Sequence, residues 1–157
     1  MKPVIFAAAG LFVLGLSAQA QTTSIPLRPA KPLERQAAIL SIQTQLKAFA
    51  RDDYKTAITY QSAGLKKNFA SPDAFRTMMV RAYPEFAHYK SVQFGPARAD
   101  AAGTHIAIPA AVTGQDGVTV RAFYFVVREN KTYRIEGVQG GVQRPPDSTV
   151  GTPGRDV

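Results

Sequence analysis

Residues 36–60, QAAILSIQTQLKAFARDDYKTAITY, decide how this chain reads, because an apolar helical pattern runs into two adjacent aspartates and then restarts. Ile39, Ile42, Leu46 and Phe49 recur at spacings of three, four and three, which places them on one face of a 3.6-residue period and predicts a helix over 33–51. Gln36, Gln43, Gln45 and Lys47 are read on the opposite face. Burying the four apolar side chains contributes roughly 6–12 kcal/mol before the entropy of ordering is subtracted, so packing on a partner surface holds this helix in place. Asp52 and Asp53 then punctuate the chain. Either carboxylate can accept an amide hydrogen bond at the start of a short helix over 54–61, where the helix dipole favours negative charge. A general base or a metal-binding pair is the rival reading. Neighbouring helical residues do not face one point, and no further carboxylate or histidine sits at ligand spacing, so capping is favoured.

Working outward, Gly64 closes the second segment, and Ser71-Pro72 starts a third helix with a capping hydroxyl and a proline at the first helical position. Phe75, Met78, Met79 and Tyr83 follow at helical spacing before Pro84 stops it. The period then changes to two. Strands are expected over 91–99, 104–113, 118–129 and 132–139, with Ile106, Ile108, Ala110 and Val112 alternating along the second. Pro109 has no amide donor, so that strand should lie at an edge or bulge there. Short turns between consecutive strands imply an antiparallel meander. The expected class is therefore α+β, with three N-terminal helices on a curved four-stranded antiparallel sheet.

The third strand has two apolar faces, Ala122, Tyr124 and Val126 on one and Phe123, Phe125 and Val127 on the other. Helices can cover only one of them. Phe123, Phe125 and Val127 are thus candidates for a homodimer interface, unless the C-terminal tail or the linker folds over them.

The ends of the chain speak to destination. Lys2, the apolar run 4–16 and Ala18-Gln19-Ala20 form the three parts of a secretory signal peptide over 1–20, with Gln21 the first mature residue. Thirteen apolar residues fall short of the roughly 20 a membrane-spanning helix needs, so an exported protein, periplasmic or secreted and without a stable membrane anchor, is expected. Prolines 26, 29 and 32 mark a linker over 21–32, one domain is expected over 33–143, and 144–157 read as a disordered tail. The chain has no cysteine, which excludes disulfides and thiolate metal sites. Without Lys2 it carries 18 Lys and Arg against 11 Asp and Glu, a formal +7. The charges are scattered and lack aromatic interleaving, so a solvated basic surface fits better than nucleic-acid binding.

Little in the sequence points to catalysis. His88 and His105 have no partner at zinc spacing, and Ser62, Ser71 and Ser91 lie outside any nucleophile-elbow pattern. Gly140-Gly141 reads as a chain end rather than a phosphate cradle. No metal and no cofactor are expected.

Three helices on one face of a curved antiparallel sheet make the α+β cone of the cystatin-like and nuclear-transport-factor-like superfold. Gln45-Leu46, Ala48-Phe49, Asp52-Asp53, Ala57, Phe69, Pro72, Phe75, Met79, Val80, Tyr83-Pro84, Tyr133-Arg134-Ile135 and Gly137 together resemble the bacterial domain-of-unknown-function family 4864 over about 34–139. Tyr133 stands where members often carry Trp, which keeps an aromatic in place. The family has no assigned reaction, so the resemblance implies architecture and transfers no catalytic residue. A cone of this kind encloses a cavity between sheet and helices. Asp53, Tyr54, Tyr60, Tyr83, Tyr124, Tyr133 and Arg134 are the residues placed to reach it, each with the plainer reading of a half-buried aromatic or a cap. The expectation is an exported, non-catalytic module that binds a small apolar or amphipathic ligand or a partner protein. The alternative is a small cofactor-free enzyme of isomerase, dehydratase or hydrolase type working in the cavity.

Overall fold

A computed structural model describes residues 25–141. The expected signal peptide, the first residues of the linker and the tail over 144–157 lie outside the described residues. Within the Pro-rich stretch Arg28–Pro29 form a short strand, β1, and the first helix, α1, follows at Pro32–Ala50. Pro32 needs no amide donor at that position. The Glu34 carboxylate accepts from the Lys31 amide at 2.8 Å, satisfying one of the donors a helix start leaves open. Ile42, Leu46 and Phe49 are buried as the spacing predicts, with Ile39 half-buried. Gln45 is a correction: it is 3% exposed rather than on the polar face. It stands three residues after Ile42 and four before Phe49, and its Nε2 donates to the Ala57 carbonyl at 3.1 Å, which makes the burial tolerable.

The two aspartates divide the punctuation between them. Asp52 takes a left-handed φ of 58° and closes α1, its amide donating to the Phe49 carbonyl at 2.9 Å. Its carboxylate accepts from Arg76 Nε at 2.6 Å. Asp53 caps the next helix, α2 (Tyr54–Thr59), accepting from the Thr56 amide at 3.0 Å. Then come α3 (Ala63–Lys66), α4 (Pro72–Ala82) and α5 (Pro84–Ala87). Ser71 caps α4 as expected, accepting from Ala74 at 3.1 Å. Among the described residues five helices therefore replace the expected three. Both additions, α3 and α5, are single turns, too short to display a helical period.

The remaining strands are β2 (Tyr89–Phe94), β3 (Arg98–Ala99), β4 (His105–Gly114), β5 (Thr119–Glu129) and β6 (Thr132–Gly141). All six strands of the described residues join one antiparallel sheet in the order β1-β3-β4-β5-β6, with β2 also paired to β4. Here too the expected four strands are corrected. The single strand predicted over 91–99 is split into β2 and β3 around Gly95-Pro96, opposite Pro109. Pro109 has no amide to offer at that point, and its carbonyl accepts from Gly95 at 2.8 Å. Pro109 thus lies in an interior strand, and the irregularity it demands falls on its neighbour.

One sheet face carries Ile106, Ile108, Ala110 and Val112 of β4 with Val120, Ala122, Tyr124 and Val126 of β5, all buried in the core that α1, α4 and α5 complete. No helix among the described residues is long and apolar enough to cross a membrane.

The turn after β3 is clamped from three directions. Arg28, paired with Glu34 at 2.9 and 2.8 Å, donates through Nε to the Ala101 carbonyl at 3.3 Å, Arg128 Nη2 donates to the Ala102 carbonyl at 3.3 Å, and the Tyr133 hydroxyl donates to the Gly103 carbonyl at 2.6 Å. The Arg28 hydrogen bond, followed by the Lys31 amide, holds the Glu34 carboxyl at about 2 rather than the ordinary 4.5. A folded-state pKa below the unfolded one gives stability that is present above about 4.5 and drains away as pH falls toward 2. Thermal melts followed by circular dichroism between pH 7 and pH 2 should therefore show a shallower acid decline for Glu34→Gln than for the native chain. Parallel declines would show that this clamp carries no pH-dependent stability.

Candidate functional site

Among the described residues this packing leaves a hollow beneath the sheet and another on its back. The inner hollow lies where α1 and α4 meet β5 and β6, and it measures about 20 Å³. That is room for about one water molecule. It is small because aromatic rings from several elements meet there: Phe75 lies 5.6 Å from Phe49, 5.6 Å from Tyr54 and 4.7 Å from Phe69, and Phe86 lies 6.3 Å from Tyr124.

Of the seven residues expected at a cavity, Tyr83 and Tyr124 line it. Burial raises the pKa of both phenols, so each stays protonated at neutral pH. The other five lie elsewhere. Asp53 is occupied as the cap of α2, and the Thr56 hydrogen bond lowers its pKa. Tyr54 packs its ring among Phe49 and Phe75, and burial, with the nearby Asp52 charge, pushes its hydroxyl up to about 12. Arg134 stacks 5.7 Å over the Tyr60 ring and donates to the Thr59 carbonyl at 3.0 Å. Tyr133 points to the Gly103 turn. Asp53, Tyr60, Tyr133 and Arg134 serve a helix end, the rim of the sheet and a turn, while Tyr54 is one of the rings that pack the interior beside the hollow.

The polar groups that do line the inner hollow include Gln45 and Gln61, neither legible as site residues. Gln61 is drawn inward because the chain at 60–62 adds to the edge of β6: Ile135 donates to the Tyr60 carbonyl at 2.7 Å and Ser62 to the Ile135 carbonyl at 2.8 Å. Its Oε1 is buried without a hydrogen-bond partner. The lining holds no carboxylate and no histidine, so an acid and a base poised near neutrality do not meet there.

The outer hollow is a groove of about 580 Å³ bordered by Gln93, Pro109, Ala111, Arg121, Phe123 and Gln139. Its origin is register. Pro109 pairs opposite Phe123 and Ala111 opposite Arg121, so bulky outward residues on β5 stand beside small ones on β4, and the chain beyond breaks at Gly95. Phe123 is 52% exposed, and Phe125 and Val127 continue the face half-buried. These are the three residues expected at an interface, and the structure sets them on the face the helices leave open. Toward the margins His105 Nδ1 lies 3.2 Å from Glu136 Oε2, and the hydroxyls of Thr113 and Thr119 pair at 2.8 Å. Among the described residues no group of three or more His, Cys, Asp or Glu is arranged to hold a metal ion.

Comparison with protein families gives a match to the family described as Domain of unknown function (DUF4864) over residues 34–148. Comparison with curated proteins and with solved structures gives no match.

Proposed function

We propose that this chain, which belongs to the family Domain of unknown function (DUF4864), acts as an exported, non-catalytic module that binds a partner through the outer groove of its sheet. The observation that carries this reading is the contrast between the hollows. The inner one, about 20 Å³, is filled by the protein's own rings, while the outer one, about 580 Å³, stays open beside an exposed phenylalanine. Exposed aromatics with a polar margin are the usual makings of a recognition surface. Helices gathered on one sheet face agree with a cystatin-like cone, and residues 1–20 carry the pattern of an export signal that directs the protein to the periplasm or the medium. A small apolar or amphipathic ligand fits the groove's chemistry as a lesser occupant. The enzyme reading has less support because no carboxylate and no histidine lines the inner hollow.

A photo-reactive benzoylphenylalanine placed at position 123 in exporting cells should yield an adduct of discrete mass on irradiation. The same group at exposed Lys66, on α3, should not. No adduct at 123, or the same adducts at both positions, would sink the proposal.

A further inference from the structure

We propose that the occupant of the outer groove is a second copy of this chain, docked face to face about a two-fold axis; this rests on the reading of the groove as the binding surface. The face carries both halves of a self-complementary joint. Phe123 stands out 52% exposed as a knob, and directly beside it on the neighbouring strand Pro109 and Ala111 floor the hollow. A two-fold axis between them places each knob in the other copy's hollow, the reciprocal contact an isologous interface requires. The two-fold arrangement uses knob and hollow together, since Phe123 lines the same groove that Pro109 and Ala111 border. At the margins His105 and Glu136, and Thr113 and Thr119, are already paired within one copy, so closing the face leaves Gln93, Arg121 and Gln139 to find partners or water across the joint.

Charge separates this occupant from its rivals. Each copy carries a formal +8, or +7 once Lys2 is removed with the signal, and Arg121 borders the groove. Two copies repel one another at long range, so their association should tighten as salt screens the repulsion. An acidic partner would bind more weakly in salt.

The test is sedimentation of the mature full-length chain at tens of micromolar in low and high salt. A dimer is expected, tighter in high salt. Phe123→Ala removes the knob and Ala111→Phe fills the hollow, and each should weaken the dimer about tenfold or more. Their circular dichroism spectra and melting curves should stay close to the native ones. Mixing the two variants should restore association, because the mixed pair keeps one intact Phe123 facing one intact hollow. A monomer overturns the proposal, as does a dimer indifferent to both substitutions or a mixture no stronger than its components. If the full chain is monomeric but a chain ending at Gly141 dimerises, the groove belongs to the residues that follow and the second copy is excluded. A monomer that still forms a discrete heterologous adduct at position 123 leaves the binding module standing and removes only the second copy.

Discussion

Phe75→Ala is expected to destabilise the fold by about 3–5 kcal/mol and to lower the melting temperature by roughly 10–20 °C. The side chain is 1% exposed. Its ring stands within 5.6 Å of Phe49, Tyr54 and Phe69, which come from α1, α2 and the segment before α4. Truncation removes the transfer free energy of a buried ring and leaves a void that three facing rings cannot all collapse into. Urea unfolding of both chains gives the difference directly. A loss below about 1.5 kcal/mol would mean that the ring cluster relaxes freely and does not organise the helical layer. The same variant separates the two hollows. It enlarges the inner one and leaves the outer groove untouched, so folded Phe75→Ala protein should still form the adduct at position 123. Loss of that adduct from folded protein would return the site to the interior.

The second large effect belongs to Gly103→Ala, expected to cost about 2–4 kcal/mol. Gly103 has a φ of 69°, a conformation that costs an L-residue about 1–2 kcal/mol. Its Cβ would also overlap the Glu34 carboxylate and lie 3.1 Å from Arg28 Nη2, forcing apart the pair that ties β1 and α1 to the turn. Gly117→Ala is the built-in control. Its φ is 82°, but nothing lies within 4 Å of the added methyl, so it should lose only the conformational part. Melting both variants isolates the clamp. Equal losses would show that the clamp contributes nothing beyond backbone strain.

Much of the architecture is written locally. Ile42, Leu46 and Phe49 announce α1, and Ser71-Pro72 announces α4. The alternation from Ile106 to Val112 announces β4, because a helix and a strand expose their buried faces at periods of 3.6 and 2. Asp52-Asp53 was legible as punctuation, although the assignment of the left-handed closure to Asp52 and the cap to Asp53 emerges from the backbone. Other features depend on partners far along the chain. Strand β1 exists because Arg28 meets Ala99, Gln45 is buried because Ala57 offers it a carbonyl, and Gln61 turns inward because the chain there joins the edge of β6. None of these leaves a periodic trace.

The candidate site divides along the same line. The alternation along the third strand marked Phe123, Phe125 and Val127 as a face needing cover, since a strand apolar on both sides cannot be satisfied by one layer of helices. The cone that the resemblance implies marked seven polar and aromatic residues for an interior cavity, of which Tyr83 and Tyr124 line the inner hollow. Residue type and period are properties of the chain, and from them follow the α+β class, the breaks between elements and the apolar second face of β5. Which hollow stays open is a matter of register and packing. Rings from α1, α2, α4 and α5 converge to fill the interior, while the pairing of Pro109 with Phe123 leaves small side chains beside large ones on the back of the sheet. A shift of one residue in that pairing would turn Phe123 to the core and abolish the groove.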